Sequence, residues 1–268
     1  MITLSEIWIY PVKSLAGIRL SEAEVQSRGL RFDRRWMIVD EEGVFLTQRT
    51  FSKMALIDVT LESNTIRLHS RTDKSFIDIP LQPEHPLEIS VKVWDDVVPA
   101  LTVSKTADEW LSKQLEKQVT LVVMPDSTKR KADPKYAKND ENVSFADGFP
   151  YLIISQAALD NLNRKIDSDL EMKRFRPNFV ISGTEPHAED NWSLLQIGDI
   201  EFEIVKPCAR CVLTTIDPET GIKGAEPLKT LAGYRRVNNK IMFGQNAVAK
   251  QNGLIRQDAL VSVLKTSE

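Results

Sequence analysis

The residues best suited to chemistry stand in one short run, Lys206-Pro207-Cys208-Ala209-Arg210-Cys211, which holds both cysteines of the chain. Several chemistries are open to such a pair. Structural zinc wants four ligands, usually from two pairs, and no second pair exists here. A thioredoxin-like dithiol normally opens a helix, whose N-terminus lowers the thiol pKa. The β-branched run Val212-Leu213-Thr214-Thr215-Ile216 predicts a strand instead. A third possibility is a single thiolate among basic neighbours. Arg210 and Lys206 would favour the thiolate, the form that ligates soft metals, and could hold an anionic cofactor beside it. In a fourth, both cysteines simply fill a core.

Other basic positions have the character of anion sites. Tyr10-Pro11-Val12-Lys13-Ser14 puts a lysine and a hydroxyl at the end of a first strand. Arg34 and Arg35 precede an apolar strand, and Arg176 and Asn178 stand between aromatics in Phe175-Arg176-Pro177-Asn178-Phe179. Residues of these types are ordinarily exposed, and local pattern does not show that they converge. The common alternatives are missing. There is no Gly-x-Gly fingerprint, phosphate loop, nucleophile elbow or His-Glu-x-x-His, and the three histidines are scattered.

The elements that must position these residues are mostly strands. Short apolar runs alternate with turns: Trp36–Val39 and Val44–Leu46 around Asp40–Gly43, Val59–Leu61 and Ile66–Leu68 around Ser63-Asn64, Ile89–Val93 and Val97-Val98 around Trp94–Asp96. Strands this frequent, with turns this short, predict antiparallel sheets or a barrel. Later strands are expected at Phe179–Ile181, Ile200–Val205, Val212–Ile216 and Ala259–Leu264. One helix is marked by the capping-box pair Thr106 and Glu109, with Trp110, Leu111 and Leu115 on one face. A second is expected from about Ser155, and a short third over Leu228 to Tyr234. The polar run from Asp126 to Asn142 predicts a long surface loop whose lysines could attract an anion.

The bulk numbers bound the rest. A chain of 268 residues, 42% hydrophobic, can bury a substantial core. A net charge of −3 argues against specific nucleic-acid binding. No apolar run approaches the ~20 residues of a membrane span, and Met1 to Glu6 does not begin a signal peptide. Two cysteines suit a reducing compartment, so a cytoplasmic location is expected.

Five segments occur in the order of a known family: Tyr10–Ser14, Gly29–Trp36, Phe175–Asn178, Cys208–Gly221 and Glu226–Leu231. Together they resemble the MOSC-domain proteins, named for the molybdenum cofactor sulfurase C-terminal region. The branch is that of the amidoxime reducing component and its bacterial YcbX-type relatives. The resemblance covers nearly the whole chain. It implies a mainly β (α+β) fold, with an N-terminal β domain over residues 1–120 packed on a MOSC β-barrel over 121–268 and a few short helices. It also implies a molybdenum cofactor, its metal held by the pterin dithiolene and Cys211. Lys13, Ser14, Arg34, Arg176, Asn178 and Arg210 map onto cofactor-contacting positions, and Asp147 onto the acidic residue near the metal. Where the family carries small polar residues after that aspartate, this chain has Gly148-Phe149. The implied activity is reduction of N-hydroxylated compounds, with Asp147 as proton relay, substrate contact or turn cap. Electrons would come from a separate reductase, haem protein or ferredoxin, since two cysteines are too few for a typical iron–sulfur cluster. Two alternatives stand beside this one: a sulfur or cofactor carrier working through Cys211, and a non-catalytic binding module.

Overall fold

The computed structural model describes residues 1–139 and 141–267; residue 140 of the expected polar loop and residue 268 lie outside them. The expected mainly β architecture is observed, with three short α-helices among the described residues. The largest sheet runs in the order Val261–Thr266, Trp192–Ile197, Ile200–Arg210, Lys240–Ala249, Tyr151–Ser155, Phe179–Ser182, Thr3–Ile9, Ile18–Leu20. One pair in it is parallel, Tyr151–Ser155 with Phe179–Ser182. The helix Gln156–Ile166 makes that crossover, and Ser155 caps it by accepting from the Ala158 N–H at 3.3 Å. All five residues of Tyr151–Ser155 are buried, as a strand covered on both faces requires.

A four-stranded sheet of Trp36–Val39, Thr120–Val123, Asp96–Thr102 and Glu88–Val93 and a three-stranded one of Ile57–Leu61, Thr65–Ser70 and Phe76–Pro80 come from the first half of the chain. The predicted hairpins at Ser63-Asn64 and Trp94-Asp95 both form. The halves are not separate in pairing. Thr3–Ile9 bonds to Phe179–Ser182, and Glu22–Gln26 bonds to Gly253–Arg256. Lys13 and Ser14, at the exit of Thr3–Ile9, are thereby tied to the sheet that carries Cys211.

Three expectations need correction. Val212–Thr215 is a turn of 3-10 helix, not a strand. The Thr214 and Thr215 hydroxyls donate to the carbonyls of Cys211 and Val212 at 3.0 and 2.8 Å, local bonds that offset the β-preference of the run. The helix Lys105–Leu115 is capped by Ser104, in extended backbone, rather than by Thr106. The polar run after Asp126 is only partly a surface loop: Thr128 and Arg130 are buried. Arg130 donates to Asp96 at 2.7 Å and to the carbonyls of Ser144 and Ala146 at 2.8 and 2.6 Å, pinning the approach to Asp147.

Candidate functional site

Tyr10, leaving the first strand, starts a loop that is laced to the chain before Trp36. Arg34 N–H donates to the Tyr10 carbonyl, Trp36 to Pro11 and Lys13 to Trp36, all at 2.8–3.0 Å. Phe145 N–H donates to the Arg34 carbonyl, bringing in the Asp147 segment. On the other side, Ile200–Arg210 carries bulges between Ile204 and Lys206 and between Pro207 and Ala209. Pro207 has no N–H to give a ladder, so a bulge is where it is tolerated, and bulges re-aim the side chains that follow. Those side chains are Cys208, Arg210 and Cys211. The result is one open recess lined by Lys13, Ser14, Arg34, Asp147, Arg176, Asn178, Arg210 and Cys211, with Arg49 and Cys208 beside them. Ser14, Arg34 and Arg176 hold left-handed backbone, φ 69°, 49° and 55°. Such backbone costs on the order of 1–3 kcal/mol in a non-glycine residue and clusters at functional sites.

The wall nearest Asp147 is paired. Lys13 is buried and donates to the Phe145 carbonyl at 2.7 Å and to Asp147 Oδ1 at 2.6 Å. Burial pulls its ammonium down to about 8, against the opposing pull of Asp147. Burial would raise the Asp147 carboxyl, but Lys13, Arg49 and Arg34 outweigh it and hold the group below the ordinary carboxylate range. Asp147 is crowded by protein yet 60% open to water, so these pairings are screened and add little to stability. Arg49 lies 3.6 Å from Asp147 and 4.3 Å over the Trp94 ring, and the Trp94 indole N–H donates to Asp147 at 3.3 Å.

The opposite wall is cationic with no carboxylate to match. Arg210 donates to the Phe175 carbonyl at 2.6 Å and to Cys208 Sγ at 3.1 Å, and its Nε has no partner. Arg176 donates to the Leu15 carbonyl at 2.7 Å, and its Nη2 is buried and unpartnered. Burial, then Arg34, lowers the Arg176 guanidinium to about 10, which leaves it charged at neutral pH. Arg34 is the one neutralised member, 2.6 Å from buried Asp33. Its guanidinium and that of Arg176 lie over the Tyr10 ring at 4.4 and 4.1 Å. Asn178 accepts from Arg34 at 3.3 Å and from Leu152 N–H at 3.2 Å, and donates to the Trp8 carbonyl at 3.2 Å, so it frames Arg34.

All eight residues singled out from the sequence therefore meet in one recess. Two of their neighbours do not. Arg35 turns away to Asp126, and Lys206 lies over the Tyr136 ring at 4.2 Å. Arg49 and Trp94 were not singled out; the turn at Trp94–Asp96 marked a hairpin and gave no sign of which recess it would border. Among the described residues no three His, Cys, Asp or Glu cluster as a metal site would need, so the cysteine pair lacks partners for the zinc alternative.

Comparison with known proteins bears on what this recess is. Residues 1–118 match the MOSC N-terminal beta barrel domain and residues 140–262 match the MOSC domain. The mitochondrial amidoxime-reducing component 1 of Mus musculus is 34% identical over 273 residues, covering 95% of this chain and 80% of that protein. The human protein of the same name is 32% identical with the same coverage. The mitochondrial amidoxime reducing component 2 of Rattus norvegicus is 38% identical over 250 residues, covering 87% and 72%. The chain belongs to the MOSC-domain family.

The recess of this MOSC protein can be tested against the cofactor that the resemblance implies. Five cationic side chains line it against the single carboxylate of Asp147, and two of the guanidinium groups carry buried nitrogens without partners. A desolvated, unneutralised cation is costly unless an anion completes it. A cysteine sulfur in the same recess is a soft-metal donor. The donor set fits a group with an anionic end and a soft metal.

Proposed function

We propose that this MOSC protein reduces N-hydroxylated compounds such as hydroxylamines, amidoximes or N-hydroxylated bases. It would use a molybdenum cofactor in the recess and electrons from a separate donor protein. The observation that carries the reading is a cysteine sulfur sharing one recess with unneutralised guanidinium groups. Its setting, a chain 34% identical to an amidoxime-reducing component, supports it.

Cys211 would ligate the metal as a thiolate. Arg176, Arg210, Lys13 and Ser14 would hold the anionic and polar parts of the cofactor, with Arg34 and Asn178 framing them. When bound, the cofactor supplies the two-electron redox couple that N–O reduction needs.

Converting a hydroxylamine to an amine and water takes up two electrons and two protons. Lys13 supplies one of these protons and solvent, which reaches the open Asp147, the other. Asp147 is ionised at neutral pH, so it accepts hydrogen bonds from a substrate N–H or O–H and orients the N–O bond. Lys13 holds a proton at Nζ, 2.6 Å from that carboxylate, with a pKa of about 8 that suits a proton donor near neutrality. Trp94, with Arg49 over its ring, donates its indole N–H to Asp147 and steadies the carboxylate at the edge of the recess. These 268 residues hold two cysteines, fewer than the four of a typical iron–sulfur cluster; a reductase, haem protein or ferredoxin would deliver the electrons to them.

The test is to make the protein in a host with intact molybdenum-cofactor synthesis. Stoichiometric molybdenum and reduction of an aromatic amidoxime with a chemical reductant are expected. Protein that carries persulfide on Cys211 and no molybdenum would point to sulfur carriage instead.

A further inference from the structure

Building on the reductase reading, we infer that the face beside Cys211 formed by the 212–223 turn and the Arg236–Lys240 hairpin docks an acidic redox protein. Two observations meet there. The first is charge. Lys223, Arg236 and Lys240 are exposed, and no ion pair engages any of them among the described residues. Over residues 212–251, which take in both parts of the face, the chain has six basic residues and three acids, Asp217, Glu219 and Glu226. Asp217 is engaged by Arg174 and Glu219 by Arg71 and Lys173, and the Glu226 carboxylate accepts from the Thr230 N–H at 3.0 Å. Of the six, Arg235 and Lys250 bond Asp190 and Glu203, and of the other four Lys223, Arg236 and Lys240 belong to the face while Lys229 stands apart on the short helix.

The second observation is exposed apolar side chains beside those charges. Val212, Ile222 and Val237 are 40%, 68% and 53% exposed; Ile222 adjoins Lys223, and Val237 pairs with Lys240. Apolar residues flanked by charge are the anatomy of a specific interface.

Strand register fixes the place. Arg210 pairs with Ile241, and Ile241 pairs with Arg236. Arg236 is therefore two strand spacings from Arg210, roughly 10 Å. Extending the register by one residue sets Lys240 level with Cys211. On the other flank, Lys223 bridges Ile216, and the Gly224 N–H donates to the Thr215 carbonyl at 2.9 Å, one turn beyond Cys211. The face thus flanks Cys211 on both sides. Electron transfer weakens steeply with distance, so a donor gains most by docking there. An acidic partner would be steered to it by long-range attraction that salt screens.

The experiment compares two electron sources on the cofactor-loaded protein: an acidic two-iron ferredoxin kept reduced by its reductase, and reduced methyl viologen. With ferredoxin, amidoxime turnover should fall steeply as salt rises. Lys223→Glu, Arg236→Glu and Lys240→Glu combined should lower kcat/KM for ferredoxin by roughly tenfold or more. The same protein should keep its viologen-driven rate and its molybdenum. Wild-type turnover that is active with viologen but driven by ferredoxin without regard to salt or charge reversal overturns the docking face alone. So does wild-type protein that viologen drives and ferredoxin does not. Wild-type protein that holds molybdenum yet is silent with viologen overturns the reductase reading beneath it. The salt dependence is read on unmodified protein, so a variant that misfolds does not remove the test.

Discussion

The two walls of the recess are built from the same residue types and end in opposite electrostatic states. Beside Asp147, each cation has an answer: Lys13 and Arg49 share the carboxylate, and Trp94 covers Arg49. Beside Cys211, Arg176 and Arg210 find backbone carbonyls, a sulfur and the faces of Tyr10 and Phe175, but no carboxylate. A paired wall is complete on its own and can pass a proton without changing its net charge. An unpaired wall is incomplete and waits for an anion. Charge count alone would have called both walls anion sites; the hydrogen-bond partners separate them.

The sharpest way to break this contrast is Cys211→Ala. It should abolish turnover and molybdenum retention while leaving the circular dichroism spectrum and melting temperature near those of the parent apo-protein. Retained metal would mean that the unpaired wall holds it without the sulfur. Next comes Asp147→Asn, on the paired wall. Turnover should drop by about 100-fold, with metal content nearly unchanged, because Cys211, Arg176 and Arg210 are untouched. Without its counterion Lys13 would lose its proton more easily, so the alkaline limb of the rate profile should move below the parent value of about 8. In the parent, activity falls as pH rises through about 8, since the ammonium is the active form. Stability runs the other way. Lys13 sheds its proton more readily folded than unfolded, so its contribution to stability rises between pH 8 and 10.5.

Arg176→Met tests the unpaired wall directly. Cofactor retention, read as molybdenum and phosphate per chain, should fall by roughly 10- to 100-fold, the worth of one or two charge-assisted hydrogen bonds. The apo-protein should melt a few degrees higher, because an uncompensated buried cation has gone. A lower apo melting temperature would show that the guanidinium is already satisfied. The smallest effect is expected from Trp94→Ala. It removes the face over Arg49 and should raise KM for aromatic amidoximes a few-fold with kcat nearly unchanged.

Much of this was legible in the residues. Hairpins at Ser63-Asn64 and Trp94-Asp95 follow from short apolar runs broken by turn residues, and the helix after Ser155 from the spacing of Leu159, Leu162 and Ile166. What failed was local preference set against local competition. Val212 to Ile216 has the composition of a strand, but two threonine hydroxyls bond backward and wind it into a turn. Ser104 displaced Thr106 as cap because it already stood in extended backbone one step before the helix. The site residues came from motif resemblance; their convergence depends on pairings across more than 170 positions, such as Leu4 with Ile181, which no window along the chain can see. Arg49 and Trp94 have no motif at all. Only the folded hairpins reveal that they border Asp147.

The stitching of Thr3–Ile9 to Phe179–Ser182, and of Glu22–Gln26 to Gly253–Arg256, sets an order of events during synthesis. Ile18–Leu20 can pair with the first strand at once, but its other neighbour in the large sheet, Phe179–Ser182, is made far later, and Gly253–Arg256 later still. Lys13 and Ser14 therefore have no opposite wall on the nascent chain. Filling of the recess must wait until Phe175–Asn178 and Cys208–Cys211 have been made and folded against Lys13 and Ser14.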